Sequence, residues 1–129
     1  MTMPNLSQRL NERTQKSLEQ HYAEEAYVVE HLAQLDMAGP DCLARLAKVA
    51  QGDTGQSRHC RRVLLAVYNS DVWPLALNRL RCLDRSLQFD ALTVIEWSAY
   101  ASRELHEYLF DDGDQLMLRL WDIETGKES

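Results

Sequence analysis

The sequence predicts an all-α domain. Three observations carry that expectation. Valine, isoleucine and threonine never alternate with polar residues over a strand length. Apolar residues recur at helical spacing through every long segment. The few glycines and prolines fall between those segments. A chain of 129 residues, 45% of them hydrophobic, suits one domain, residues 1–129, with one core. A bundle of five or six helices with a long N-terminal helix is expected.

The first helix is expected from about Ser7 to Asp36, with an apolar stripe of Leu18, Tyr22, Val28, Val29, Leu32 and Leu35. Residues 1–15 are more polar and read as a protruding or frayed arm. Gly39 suits a C-terminal cap and Pro40 cannot continue a helix, so residues 37–41 should end it. A short second helix then turns Leu43, Leu46, Ala47 and Ala50 inward. Residues 51–55 form a turn. The third helix spans about Gln56 to Tyr68, with Cys60, Val63, Leu64, Val67 and Tyr68 on one arc. Arg58, Arg61 and Arg62 lie on the opposite arc, with Leu65 among them. Asn69-Ser70-Asp71 breaks it, and Trp73, preceding Pro74, should be extended. Pro74 can open a helical turn through Leu75, Leu77 and Leu80. The longest apolar helix should run from Asp84 or Arg85 to about Leu109, as the central helix, with Trp97 at the margin of its apolar face. Asp111-Asp112-Gly113 is a turn, and Asp114 caps a last helix carrying Leu116, Met117, Leu120 and Trp121. Residues 124–129 read as a flexible tail.

Charge divides the chain more sharply than hydropathy does. Residues 1–40 carry a net −3, residues 41–85 a net +4 and residues 86–129 a net −7, for −6 overall. A basic centre between acidic arms implies pairing within the fold or a docking surface. The basic centre opens oddly. Arginines stand in the first turns of the third helix, where the helix dipole favours carboxylates by a few tenths to about 1 kcal/mol. Such a broken local rule points to a partner, inside the fold or outside it.

Few residues suggest chemistry. Residues 52–57, Gly-Asp-Thr-Gly-Gln-Ser, lack the lysine and the preceding strand of a phosphate loop. A simpler anion site remains open there, from the amides that start the third helix, the Thr54 and Ser57 hydroxyls, and Arg58 or Arg61. The alternative is that Asp53, Thr54 or Ser57 caps the helix while the arginines pair with the acidic arms. His21 and Glu25, one turn apart, form a hydrogen-bonded pair or a metal half-site, the pair being the simpler reading. His59 and Cys60 are adjacent, point about 100° apart and cannot form a catalytic couple. Cys42, Cys60 and Cys82 fit no closed disulfide framework. No catalytic residue, metal set or cofactor is expected. No apolar run approaches the roughly 18 residues that span a bilayer. The N-terminus lacks the regions of a signal peptide, and the expected location is the cytoplasm.

The stretch Gly52-Asp53-Thr54-Gly55-Gln56-Ser57-Arg58 carries a resemblance. With Leu64-Leu65-Ala66-Val67-Tyr68-Asn69, Leu83-Asp84 and Leu92-Thr93-Val94-Ile95, it resembles a family of uncharacterised helical proteins of bacterial integrative and conjugative elements and plasmids. The likeness covers roughly the middle half of the chain. It implies a mobile-element setting and no particular activity. The leading expectation is a non-enzymatic protein that binds a host protein or nucleoprotein complex, as an anti-CRISPR-like inhibitor of a defence or nucleic-acid-processing complex does. Its acidic surfaces would be Glu24, Glu25 and Glu30, and Asp111, Asp112 and Asp114, imitating a phosphate backbone. The rival expectation is nucleic-acid or anion binding through the basic helix 56–69, using Thr54, Ser57, Arg58, Arg61, Arg62 and Leu65, with Arg79, Arg81 and Arg85 extending the patch. The long first helix also offers pairing with a second copy.

Overall fold

The structure, a computed structural model, describes residues 5–101, 104–109 and 113–126. Those residues form five α-helices and one 3₁₀ turn, with no strand among them. The helices are α1 (Leu6–Ala50), α2 (Gly55–Tyr68), α3 (Asn78–Arg81), α4 (Arg85–Tyr100) and α5 (Gly113–Thr125); the 3₁₀ turn is Leu105–Tyr108. The fold is all-α, with a long N-terminal helix. It divides into two compact units between Ala33 and Gln34.

The first unit is the N-terminal part of α1. Its start is capped, not frayed. Asn5 Oδ1 accepts the Gln8 amide at 2.8 Å, and Gln8 Oε1 accepts the Asn5 amide at 2.9 Å. This reciprocal cap satisfies two amides that a helix start otherwise leaves without partners. Every residue from Asn5 to Glu30 is exposed.

The second unit holds the core. The expected break at Gly39-Pro40 does not occur, and α1 runs through Pro40 to Ala50. The physical reason lies across the core. Trp97 of α4 is fully buried, and its indole lies so close to Gly39 that a Cβ there would overlap the ring. The Trp97 Nε1 group donates to Asp36 Oδ1 at 2.8 Å, one turn before Pro40. Gly39 is thus required by close approach rather than by a cap. Beyond it Cys42, Leu43, Leu46, Ala47 and Ala50 are buried and hold the helix to the core despite the missing proline N–H.

The central helix is α2, not α4. It packs against α4, α5 and the 3₁₀ turn, and buries Cys60, Val63, Leu64 and Leu65. Asn69 ends it as expected. Its carbonyl accepts the Trp73 amide at 2.9 Å and its Oδ1 the Val72 amide at 3.2 Å. The long helix expected to Leu109 stops at Tyr100, and Leu105 reaches the core from the 3₁₀ turn instead. Trp97 lies at the centre of the core rather than at a margin.

One ion-pair cluster ties the helices together. Arg61 of α2 is 7% exposed. Its Nη1 donates to the carbonyls of Ala50 and Gly52 at 3.0 and 2.8 Å, and its Nε to Glu124 Oε1 at 2.8 Å. A cation at the C-terminal carbonyls of α1 is favoured by the dipole and satisfies orphaned acceptors. Arg62 Nε takes the other oxygen of Glu124 at 2.9 Å. The Arg62 guanidinium also sits 4.7 Å from the Trp73 ring centroid, and Trp73 meets Trp121 of α5 edge-on at 5.4 Å. Glu124 was expected in the flexible tail; it belongs to α5, and its side chain is 4% exposed.

Two outcomes follow from this packing. Gly39→Ala should destabilise the second unit by about 1–3 kcal/mol through overpacking against Trp97; equal urea midpoints for wild type and variant would contradict the account. Glu124 supplies the second. Burial pushes its carboxyl up, but the hydrogen bonds and charges of Arg61 and Arg62 outweigh burial and leave it below its ordinary value. A carboxyl lowered in the folded state stabilises the chain at neutral pH, and that stability is lost as pH falls through roughly 4 and below. Glu124→Gln should cost on the order of 3–5 kcal/mol at pH 7 by removing one partner of a buried pair. It should also remove much of the acid sensitivity seen in urea titrations at pH 7 and pH 3.

Candidate functional site

The start of α2 explains where the basic residues go. Thr54 caps the helix: its Oγ1 accepts the Ser57 amide at 3.1 Å and lies 2.9 Å from Ser57 Oγ. Ser57 is buried. Both hydroxyls therefore serve the cap, the alternative that the sequence left open. Gln56, which stands where a phosphate loop would have lysine, works as a clamp. Its Nε2 donates to the Cys82 carbonyl at 2.7 Å and its Oε1 accepts the Asp84 amide at 2.9 Å. This fixes the segment joining α3 to α4 against the first turn of α2.

Of the expected basic face, Arg61 and Arg62 are engaged by Glu124, and Leu65 is fully buried in the core. Leu65 presents no surface because the face it shares with the arginines packs inward. Arg58 differs. It is exposed, and among the described residues no carboxylate lies within ion-pair distance of it or of Arg79.

Arg58 and Arg79 line one open groove of about 520 Å³ together with His59, Gly55, Asn78 and Cys82. The Gln56 clamp forms it by bringing residues 78–82 beside α2. Arg79 is half-buried and its Nη1 lies 3.3 Å from His59 Nδ1. Burial and then the charges of Arg62 and Arg58 push the Arg79 guanidinium down from its ordinary value. Burial, then Arg79 and Arg58, do the same to His59. These shifts report an excess of positive potential. Gly55 opens α2 at the same groove, and a Cβ there would meet nothing within 4 Å. The first-turn amides of a helix have no intrahelical acceptor. Two cations and an imidazole on one groove, beside a helix start whose Ser57 amide Thr54 already caps, suit an anionic group.

A second groove, of about 840 Å³, is lined by Arg45, Lys48, Arg85, Phe89 and Asp90. Its charge is partly neutralised, because Arg45 holds Asp90 through two hydrogen bonds of 2.9 Å. Arg81 is exposed and lines neither groove.

The acidic candidates lie apart in the sequence and in their roles. Glu24, Glu25 and Glu30 are exposed on the first unit. Glu24 accepts from Gln20 at 3.0 Å, and Glu25 pairs with His21 at 3.0 Å, the simple pairing that the spacing suggested. Asp114 lies within the first turn of α5 and meets His106 Nε2 at 2.8 Å. Asp111 and Asp112 lie outside the described residues. Among those residues no group of three His, Cys, Asp or Glu is placed to hold a metal ion. Cys60 is wholly buried, and burial pushes its thiol up to about 11, an environment opposite to that of a nucleophile. No helix among the described residues is long and apolar enough to cross a membrane.

Sequence reasoning placed Arg58 at the site and Arg79 at its edge. It missed His59, weighed only against Cys60, and the clamp roles of Gln56 and Glu124. No curated protein and no solved structure matches the chain. Residues 41–124, which hold the groove, the Gln56 clamp and the Arg61–Glu124 pair, match a family of unknown function, DUF7673, and the chain belongs to that family.

Proposed function

We propose that this chain is a non-enzymatic binding protein that takes a phosphate-bearing ligand in the groove between the start of α2 and residues 76–82. The observation that carries this reading is the convergence of Arg58, Arg79 and His59 on one groove with no carboxylate within ion-pair distance of either arginine among the described residues. The ligand chemistry is the phosphate group, free on a nucleotide or within a nucleic-acid backbone. Arg61 and Arg62, engaged by Glu124, act as structure rather than as contacts. A protein of a mobile element that acts on a host nucleic-acid-processing complex would use such a site to engage the complex's nucleic acid. The inhibitor reading, in which an acidic surface imitates that backbone, is favoured by a separate observation. Residues 18–33 carry Glu19, Glu24, Glu25 and Glu30, all exposed, and no lysine or arginine.

The test is fluorescence anisotropy with a labelled single-stranded oligonucleotide, with adenosine monophosphate as competitor. Wild type should bind at low salt, with a log–log salt slope of about −0.7 per phosphate contact. Arg58→Gln/Arg79→Gln should abolish binding, whereas Arg81→Gln should not. Competition by the nucleotide would identify the free phosphate as sufficient; its failure would require the polymer. An anion in the groove favours a proton on His59, which burial and the neighbouring Arg79 and Arg58 otherwise disfavour, so affinity should rise as pH falls on the acid side of neutrality, and His59→Gln should flatten that rise. Absence of wild-type binding, or binding unchanged in the double variant, would defeat the groove and leave the acidic reading.

A further inference from the structure

The N-terminal unit is a helix without a core. From Asn5 to Glu30 every residue is exposed, although Leu6, Leu10, Leu18, Tyr22, Val28 and Val29 are large and apolar. At 100° per residue, these side chains occupy one sector of the helix about 160° wide, in which the His21–Glu25 pair also lies, while the exposed Tyr27 falls outside it. Helices in water owe most of their stability to packing of such a face. Residues 6–30, about 38 Å of helix at 1.5 Å per residue, present this face exposed throughout, and His31 and Leu32 beyond them are half-buried.

Its charge shows what covers it. Residues 6–17 carry Arg9, Arg13 and Lys16 against Glu12, a net +2. Residues 18–33 carry Glu19, Glu24, Glu25 and Glu30 with no lysine or arginine, a net −4. The segment is therefore an electrical dipole with its apolar stripe along it. Two copies side by side in parallel would set basic half on basic half and acidic on acidic. Two copies laid antiparallel set each basic half on an acidic half. We infer that residues 6–33 form an antiparallel helix pair with the same segment of a second copy of this chain, crossing near Leu18.

The flanks agree with this register. Arg13 and Glu24 project from the same edge of the stripe, at helical angles about 20° apart. In an antiparallel pair related by a two-fold axis, equivalent edges face each other. A crossing near Leu18 then sets Arg13 of each copy beside Glu24 of the other. It also sets Leu6 and Leu10 of one copy towards Leu32 and Val28 of the other. The pairing is isologous and closes on itself, so it makes a dimer and not a filament. It is independent of the groove proposed above.

A charge-reversal cycle read by sedimentation equilibrium tests the pairing on the full chain. Wild type should dimerise, more weakly at high salt. Arg13→Glu alone and Glu24→Arg alone should each weaken the dimer by about fivefold to tenfold, since each creates two like-charge contacts. The double variant Arg13→Glu/Glu24→Arg should recover the wild-type constant, because it re-creates both opposite-charge contacts with reversed sign. All four positions involved are exposed, so the second unit should keep its urea midpoint throughout. As a second measure, Leu18→Cys in a Cys82→Ser background should cross-link to itself under mild oxidation. A monomer at 100 μM and low salt, or a dimer indifferent to the charge reversals and without Leu18→Cys cross-linking, would overturn the inference. Either result would assign the face to a partner of another kind.

Discussion

The packed part of this protein depends on one buried guanidinium. Arginine keeps its charge at any pH that a protein meets, so burying Arg61 demands a complete set of acceptors. The chain supplies acceptors from two places: the carbonyls of Ala50 and Gly52 at the end of α1, and the carboxylate of Glu124 in α5. Satisfying the arginine therefore ties the end of α1 and the last turn of α5 to α2. Arg62 takes the second oxygen of the same carboxylate and lays its guanidinium over Trp73, which carries the tie on to Trp121. Arg61, one of the arginines that looked misplaced at the start of α2, is compensated by the negative end of a neighbouring helix.

The same arrangement creates the groove. A carboxylate has two oxygens, and Arg61 and Arg62 occupy both of those on Glu124. Arg58, one turn before Arg62, and Arg79, brought close by the Gln56 clamp, are left without a carboxylate within ion-pair distance among the described residues. The cationic groove is therefore a consequence of how the core cations are satisfied. This also separates positions within the basic centre: Arg61 and Arg62 are engaged within the fold, whereas Arg58 and Arg79 line the groove.

Helical periodicity made the all-α fold, the start of the long first helix and both bounds of α2 legible to within a residue or so. It failed where a residue answers to a distant neighbour. Gly39-Pro40 has the local chemistry of a helix stop, but Gly39 is there because Trp97 lies against it, and sequence separation hides that contact. Nothing between Tyr100 and Leu105 punctuates the sequence, so the end of α4 left no local trace. Glu124 did leave one. It follows Leu116, Met117, Leu120 and Trp121 at helical spacing, so it continues an apolar face. A carboxylate in an apolar register, in a chain with surplus arginines elsewhere, signals a buried pair. For the candidate groove, the sequence pointed to the helix start that lines it and to Arg58, but no local pattern shows that Gln56 reaches across 26 residues to Cys82.

An acidic protein with a cationic groove is not a contradiction. At physiological ionic strength, fields between exposed charges fade over about 8 Å, so the charges lining the groove, and not the net −6 spread over the chain, set the potential inside it. The two groove arginines then act differently. Arg58 is exposed, and salt screens it; its effect falls mainly on the rate at which an anion arrives. Arg79 is half-buried, and burial together with two neighbouring cations already disfavours its charge. Under the proposed reading, an anion in the groove would offset both penalties, so part of its binding free energy would come from charge that the fold already holds without a close carboxylate.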